Sequence, residues 1–97
     1  MKFNKDILKE LLAAIEQKIT FSESGINRPG SFSLACHINI EELFKSINNS
    51  SIDELKYHLA ILYCLDYIHI SDGIIDQIAP NGFRFLLYTL YGVECKY

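Results

Sequence analysis

Three features of this 97-residue sequence predict an α+β fold of winged helix-turn-helix type, four helices with a small β-hairpin wing. Two short amphipathic segments, 40–47 and 52–65, are joined by the polar turn Asn48-Asn49-Ser50. An Asp72-Gly73 pair between two isoleucine-rich runs marks a hairpin directly after the second segment. An extended stretch before the first segment can supply a third strand. A four-helix bundle would use the same amphipathic helices, and the Asp72-Gly73 turn is what decides against it.

The opening helix follows from its cap and its stripe. Asn4 can accept from the first free N–H groups, and Phe3 before it can staple onto Leu8. Ile7, Leu8, Leu11, Leu12, Ile15 and Ile19 recur every three or four residues, so one face is apolar and the helix ends near Lys18. Residues 19–38 break that pattern. Thr20-Phe21-Ser22 leans toward strand, Ser24-Gly25 and Arg28-Pro29-Gly30 interrupt it, and Phe32 to Cys36 reads equally as extended or helical. This stretch is either a surface connector or a contact loop.

Asn39 with Glu42 three residues on forms a cap-like start for a short second helix, stapled by Ile38 on Leu43. Its inward residues are Ile40, Leu43, Phe44 and Ile47. Ser51-Ile52-Asp53-Glu54 is a capping box for the third helix, whose inward stripe is Leu55, His58, Leu59, Leu62 and Leu65. Tyr57, Ala60, Ile61 and Cys64 extend its apolar character to other faces, which predicts burial on more than one side. In the hairpin a two-residue turn sets His69 opposite Asp76 on the wet face and Ile70 opposite Ile75. Pro80 or Asn81 then starts a fourth helix rich in Phe, Leu and Tyr.

Composition excludes several classes. At 11.1 kDa the chain is one domain, 1–97, and 49% hydrophobic residues suffice for a core. Twelve acids against nine basic residues give a net charge of −3, which opposes non-specific nucleic-acid binding. No apolar run reaches the ~20 residues of a membrane span, and the alternating charges of Met1 to Asp6 are no export signal. The expected setting is a cytoplasm, with Cys36, Cys64 and Cys95 as reduced thiols and the first two in the core. A zinc site from Cys36, His37, His58 and Cys64 is disfavoured, since neighbours on a strand point to opposite faces. His58, on the inward stripe, reads as a neutral, hydrogen-bonded core residue. No nucleophile and base, and no pair of carboxylates, is set by a recognisable turn, so no enzyme, cofactor or small-molecule substrate is expected.

One resemblance accompanies this reading. Tyr57-His58-Leu59-Ala60-Ile61-Leu62 resembles the Tyr-His-Leu-x-x-Leu stretch of a domain-of-unknown-function family of small bacterial and phage winged-helix proteins. Asp6-Ile7-Leu8 with Ile15-Glu16 is similar to that family's opening helix, and Ile78 to Leu86 to its Leu-Thr-x-x-Gly-x-x-Phe-Leu motif. Ala79 stands in place of the Thr, and Phe83 in place of a polar residue. The resemblance covers roughly residues 4–87 and implies a winged fold and a bacterial or phage origin, without a mechanism.

Two functions compete for the third helix. A DNA reader needs hydrogen-bonding and basic side chains on its first turns, whereas Ser51 to Tyr67 offers Asp53, Glu54 and Asp66 against Lys56 alone. A dimeric, sequence-specific DNA-binding regulator would have to use Lys56, Tyr57 and Arg28. The favoured expectation is a non-enzymatic module acting by protein contact, as a homodimer or on a host protein if phage-borne. Its contact residues would be Tyr57, Ile61 and Cys64 of the third helix, with Tyr88 and Tyr91 of the fourth, because tyrosine favours interfaces.

Overall fold

The computed structural model describes residues 1–19 and 34–94. Arg28, Cys95 and the expected strand tendency at Thr20-Phe21-Ser22 lie outside these residues. In chain order the elements are α1 (Lys5–Lys18), β1 (Leu34–Asn39), α2 (Ile40–Lys45), α3 (Ile52–Cys64), β2 (Ile68–Ser71), β3 (Ile74–Ile78) and α4 (Pro80–Tyr91). Among the described residues the fold is α+β, four helices on a three-stranded antiparallel sheet of order β1-β3-β2.

Local chemistry sets the helix ends. The Asn4 side chain accepts from the N–H groups of Asp6 and Ile7, and that of Asn39 accepts from Glu42 N–H. At α3 both halves of the Ser51/Glu54 capping box are formed. Helix α4 has no side-chain cap; Pro80 in its first turn lacks an N–H that would otherwise need a partner. Gly92, with φ +68°, closes it.

The hairpin turn has the expected form, with positive φ at both Asp72 (+52°) and Gly73 (+73°). Its register differs in one place. Ile70 is opposite Ile75, but His69 is opposite Gln77, because Asp76 is an extra residue bulged out of β3. On the other edge the same position faces two residues, Cys36 and His37, between the pairs Ala35/Gln77 and Ile38/Ile75. The hairpin does not project beyond the sheet. Asn39 is paired with Ile74, and Ile40 N–H donates to the Gly73 carbonyl at 3.0 Å, so the turn is tied to the start of α2.

The core lies between the sheet and the helices. Leu11 and Ile15 of α1, Ile38, Leu43, Leu55, Leu62, Ile75, Ile78 and Leu86 are all under 2% exposed or at 2%. Helix α1 packs on both α3 and α4, and α3 packs on β2. Two expectations about α3 are corrected here. It is buried on one side only, with Ala60, Tyr63 and Cys64 exposed. Leu65, placed in the inward stripe, is 51% exposed, because the helix stops at Cys64 and Asp66 turns the chain with φ +59°. The Tyr67 N–H then donates to Leu62 O and the Asp66 N–H to Tyr63 O, a Schellman closure.

Candidate interaction surface

With Leu55, His58, Leu59 and Leu62 facing the core, α3 exposes two flanks. One flank carries Tyr57, Ile61 and Cys64. Tyr57 and Ile61 are half-buried rather than free, and the Tyr57 ring stands edge-on to the His58 ring at 5.2 Å. Cys64 is exposed, so its expected place in the core is corrected; it is the last residue of the helix, beyond the packed stripe.

The other flank was not singled out by the sequence, and it is the more open. Ile52 is 59% and Tyr63 48% exposed. Ile40 and Phe44 of α2 meet Ile52 across a groove of about 350 Å³, edged by Glu41, Lys45 and Lys56. Lys56 also edges a second hollow of about 330 Å³, where Leu59, Ala60 and Tyr63 face Ile70 of β2. The two make one apolar strip along α3. Its signal in the sequence was Ile52, an isoleucine at the wet first position of a capped helix, where burial gives no reason for it.

Tyr88 and Tyr91 are exposed as expected, at 57% and 59%. They do not join the α3 residues in one patch. Tyr91 donates a hydrogen bond to the Glu16 carboxylate at the end of α1, whereas Tyr57 lies against His58, which is bonded to Asn4 at the start of α1. Those anchors are twelve positions apart, roughly 18 Å along the helix. The Glu16 carboxylate holds the phenolic proton and raises the Tyr91 pKa above its ordinary value. A separate hollow of about 530 Å³ on α4 is walled by Tyr67, Phe85 and Tyr88 beside Asn81 and Arg84.

The charge on this side is acidic. From residue 40 to 66 there are five carboxylates, Glu41, Glu42, Asp53, Glu54 and Asp66, and two lysines, Lys45 and Lys56. Of the three residues that DNA binding would need, Lys56 is exposed, Tyr57 is half-buried and Arg28 is not described. Phosphates approaching the first turns of α3 would meet Asp53 and Glu54.

Three sites considered for chemistry are engaged structurally. His58 is fully buried; its Nε2 accepts from Asn4 N–H at 2.9 Å. Its Nδ1 lies 2.7 Å from the Glu54 carbonyl and must donate, so the ring is the neutral Nδ1–H tautomer with no lone pair for a metal. The Cys36 thiol donates to the Ile75 carbonyl at 3.3 Å. Burial, with a smaller push from Asp76, raises its pKa to about 11, which keeps it a thiol and a poor nucleophile. His69 Nδ1 donates to Asp76 Oδ1 at 2.6 Å, on the wet face of the hairpin. The bulge brings these two together although they are not register partners. Among the described residues no group of three or more His, Cys, Asp or Glu side chains is placed to hold a metal ion. None of the described helices is long and apolar enough to cross a membrane.

The chain matches no family model, no curated protein and no solved structure.

Proposed function

We propose that this chain is a winged-helix module that works by binding protein and has no catalytic role. The element order α1-β1-α2-α3-β2-β3-α4 with sheet order β1-β3-β2 supports the winged form. One observation carries the function: the outer face of α3, where a reader of DNA presents bases and hydrogen-bond donors, is an apolar strip with Ile52 and Tyr63 exposed under a net acidic charge. The short hairpin supports the same reading, because a turn tied to Ile40 N–H cannot reach along a second groove of a duplex. Dimeric DNA binding is the competing function, and its remaining support is the order of the elements.

Selection from a random duplex pool at moderate salt separates the two. The expected result is no enriched sequence, together with protein adducts, resistant to nuclease, when a photo-cross-linking residue replaces Tyr63 in expressing cells. Recovery of one palindromic sequence with nanomolar-class affinity, falling steeply with salt, would overturn the proposal.

A further inference from the structure

We infer that the hollow between α1 and the α2–α3 turn binds a primary ammonium group carried on an alkyl chain, with Glu10 as its counter-charge. The hollow has a volume of about 370 Å³ and shares no lining residue with the strip on α3. The inference therefore stands apart from the protein-contact reading.

Glu10 carries it, because both oxygens of its carboxylate are under-satisfied. Oε2 is out of solvent's reach, and among the described residues no donor bonds it. Oε1 accepts only from the Asn49 side-chain amide at 3.4 Å, longer than the roughly 2.7–3.2 Å of an ordinary N–H···O bond. The residues three and four positions from Glu10 on α1 are Asp6, Ile7, Ala13 and Ala14, so the helix itself supplies no lysine or arginine to pair with it. A carboxylate partly withdrawn from water without a donor is costly, and buried polar groups are nearly always bonded. A cation entering the hollow relieves that cost.

The walls select the kind of cation. Ala13, Ala14 and Ile47 give the hollow an apolar side, which suits methylenes and not a bare metal ion that wants oxygen ligands all round. Gln17 and Asn48 add amide oxygens able to accept the remaining ammonium protons. Among the described residues Glu10 is the only charged one in the lining, so one positive charge is matched and a second is not. With Oε2 withdrawn, the carboxylate presents one oxygen and lacks the open pair that a guanidinium fork uses. The Asn49 amide, on an exposed residue and held by one long bond, is the group that gives way. Free alkylamines and lysine side chains share this chemistry.

The test is titration of the whole chain with n-butylammonium and, separately, with Nα-acetyl-lysine methylamide, read as amide shifts in solution NMR. Both should give saturable, millimolar-range shifts at the backbone amides of Ala13, Ala14 and Ile47, and should move the Asn49 side-chain amide. Glu10→Gln should weaken binding roughly tenfold or more, the loss of one charge-assisted bond. Ala13→Leu, which narrows the hollow from a half-buried position, should weaken it too. Thermal melts matched to the parent separate both effects from unfolding. Tetramethylammonium, with the charge but no donor, should displace neither ligand from the parent chain. Tighter binding of the lysine amide assigns the hollow to a lysine side chain of another chain, and equal or weaker binding assigns it to a free amine. Absence of saturable shifts, shifts unchanged by Glu10→Gln, equal binding of guanidinium or tetramethylammonium, or a preference for putrescine would overturn the inference. Any of these leaves the α3 strip, and the protein-contact reading built on it, untouched.

Discussion

Gly82 and Gly73 are needed for opposite reasons. Gly73 has open space around it and a φ of +73°, so any side chain there is strained by the backbone alone. Gly82 is buried, and a Cβ on it would stand 2.1 Å from the Tyr67 carbonyl oxygen, which also accepts from Ala79 N–H. That oxygen is main chain and cannot swing away, so α4 must shift. Gly82→Ala should therefore cost stability at the upper end of the ~1–3 kcal/mol typical of overpacking. Gly73→Val should cost ~1–2 kcal/mol for the left-handed conformation. Denaturant titration of both variants checks this; an unchanged midpoint for Gly82→Ala would refute the close contact. The Gly73 requirement was legible, because Asp-Gly names its own turn. The Gly82 requirement was not, since it depends on a residue fifteen positions away. His58 was legible as a core residue from its place on the stripe. Its partner was hidden, because the Asn4 N–H comes from 54 residues upstream.

At the scale of elements, caps were the most readable feature and closures the least. Asn4, Asn39 and the Ser51/Glu54 box announce three helix starts through short side chains that can reach free N–H groups. The end of α3 carries no such mark. Asp66 occupies the left-handed position that glycine usually fills, so the leucine before it was counted into the helical stripe and is exposed instead. Asp66→Gly should stabilise the protein by ~0.5–1 kcal/mol, provided the side chain makes no other contact, because the strained position would be relieved. A raised thermal midpoint is the readout, and a lowered one would mean that the carboxylate itself supports the turn. Strand β1 escaped assignment between extended and helical because Leu34 to Ile38 is a short run without strict alternation, and Cys36 and His37 share one partner. A separate bulge, of Asp76 out of β3 against β2, explains why His69 and Asp76 touch without being paired. Local sequence fixes a turn, but a bulge answers to both neighbouring strands at once.

For the whole molecule, the arrangement of α1 decides which surfaces can act together. It separates the Tyr57 neighbourhood from Tyr91, so a contact surface assembled from sequence faces alone divides into two regions. The open flank of α3 was missed because helical periodicity distinguishes core from surface but not one wet flank from the other. Only the position of α2 and β2 does that. The Tyr91–Glu16 bond ties the ends of α4 and α1, and its titration has a definite sign. A tyrosine whose pKa is raised on folding contributes its full stability below the ordinary tyrosine value of 10.0, and loses it as pH rises through the higher folded value. Thermal midpoints of the parent should thus fall more steeply above pH 10 than those of Tyr91→Phe, while the two stay parallel near neutrality. Parallel curves throughout would remove the bond.

The sheet order has a consequence in time. The strand at the centre, β3, is the last of the three to be synthesised, while β1, at one edge, is the first. A ribosome releasing this chain from its N-terminus therefore exposes β1 before its partner strand, residues 74–78, has emerged. The β2–β3 hairpin closes over two residues, but Leu34 must wait for Ile78, 44 positions later. Closing that longer loop is the slower, entropy-limited event. In the growing chain β1 is thus expected to join last, onto a hairpin edge that exists only once residues 74–78 have emerged.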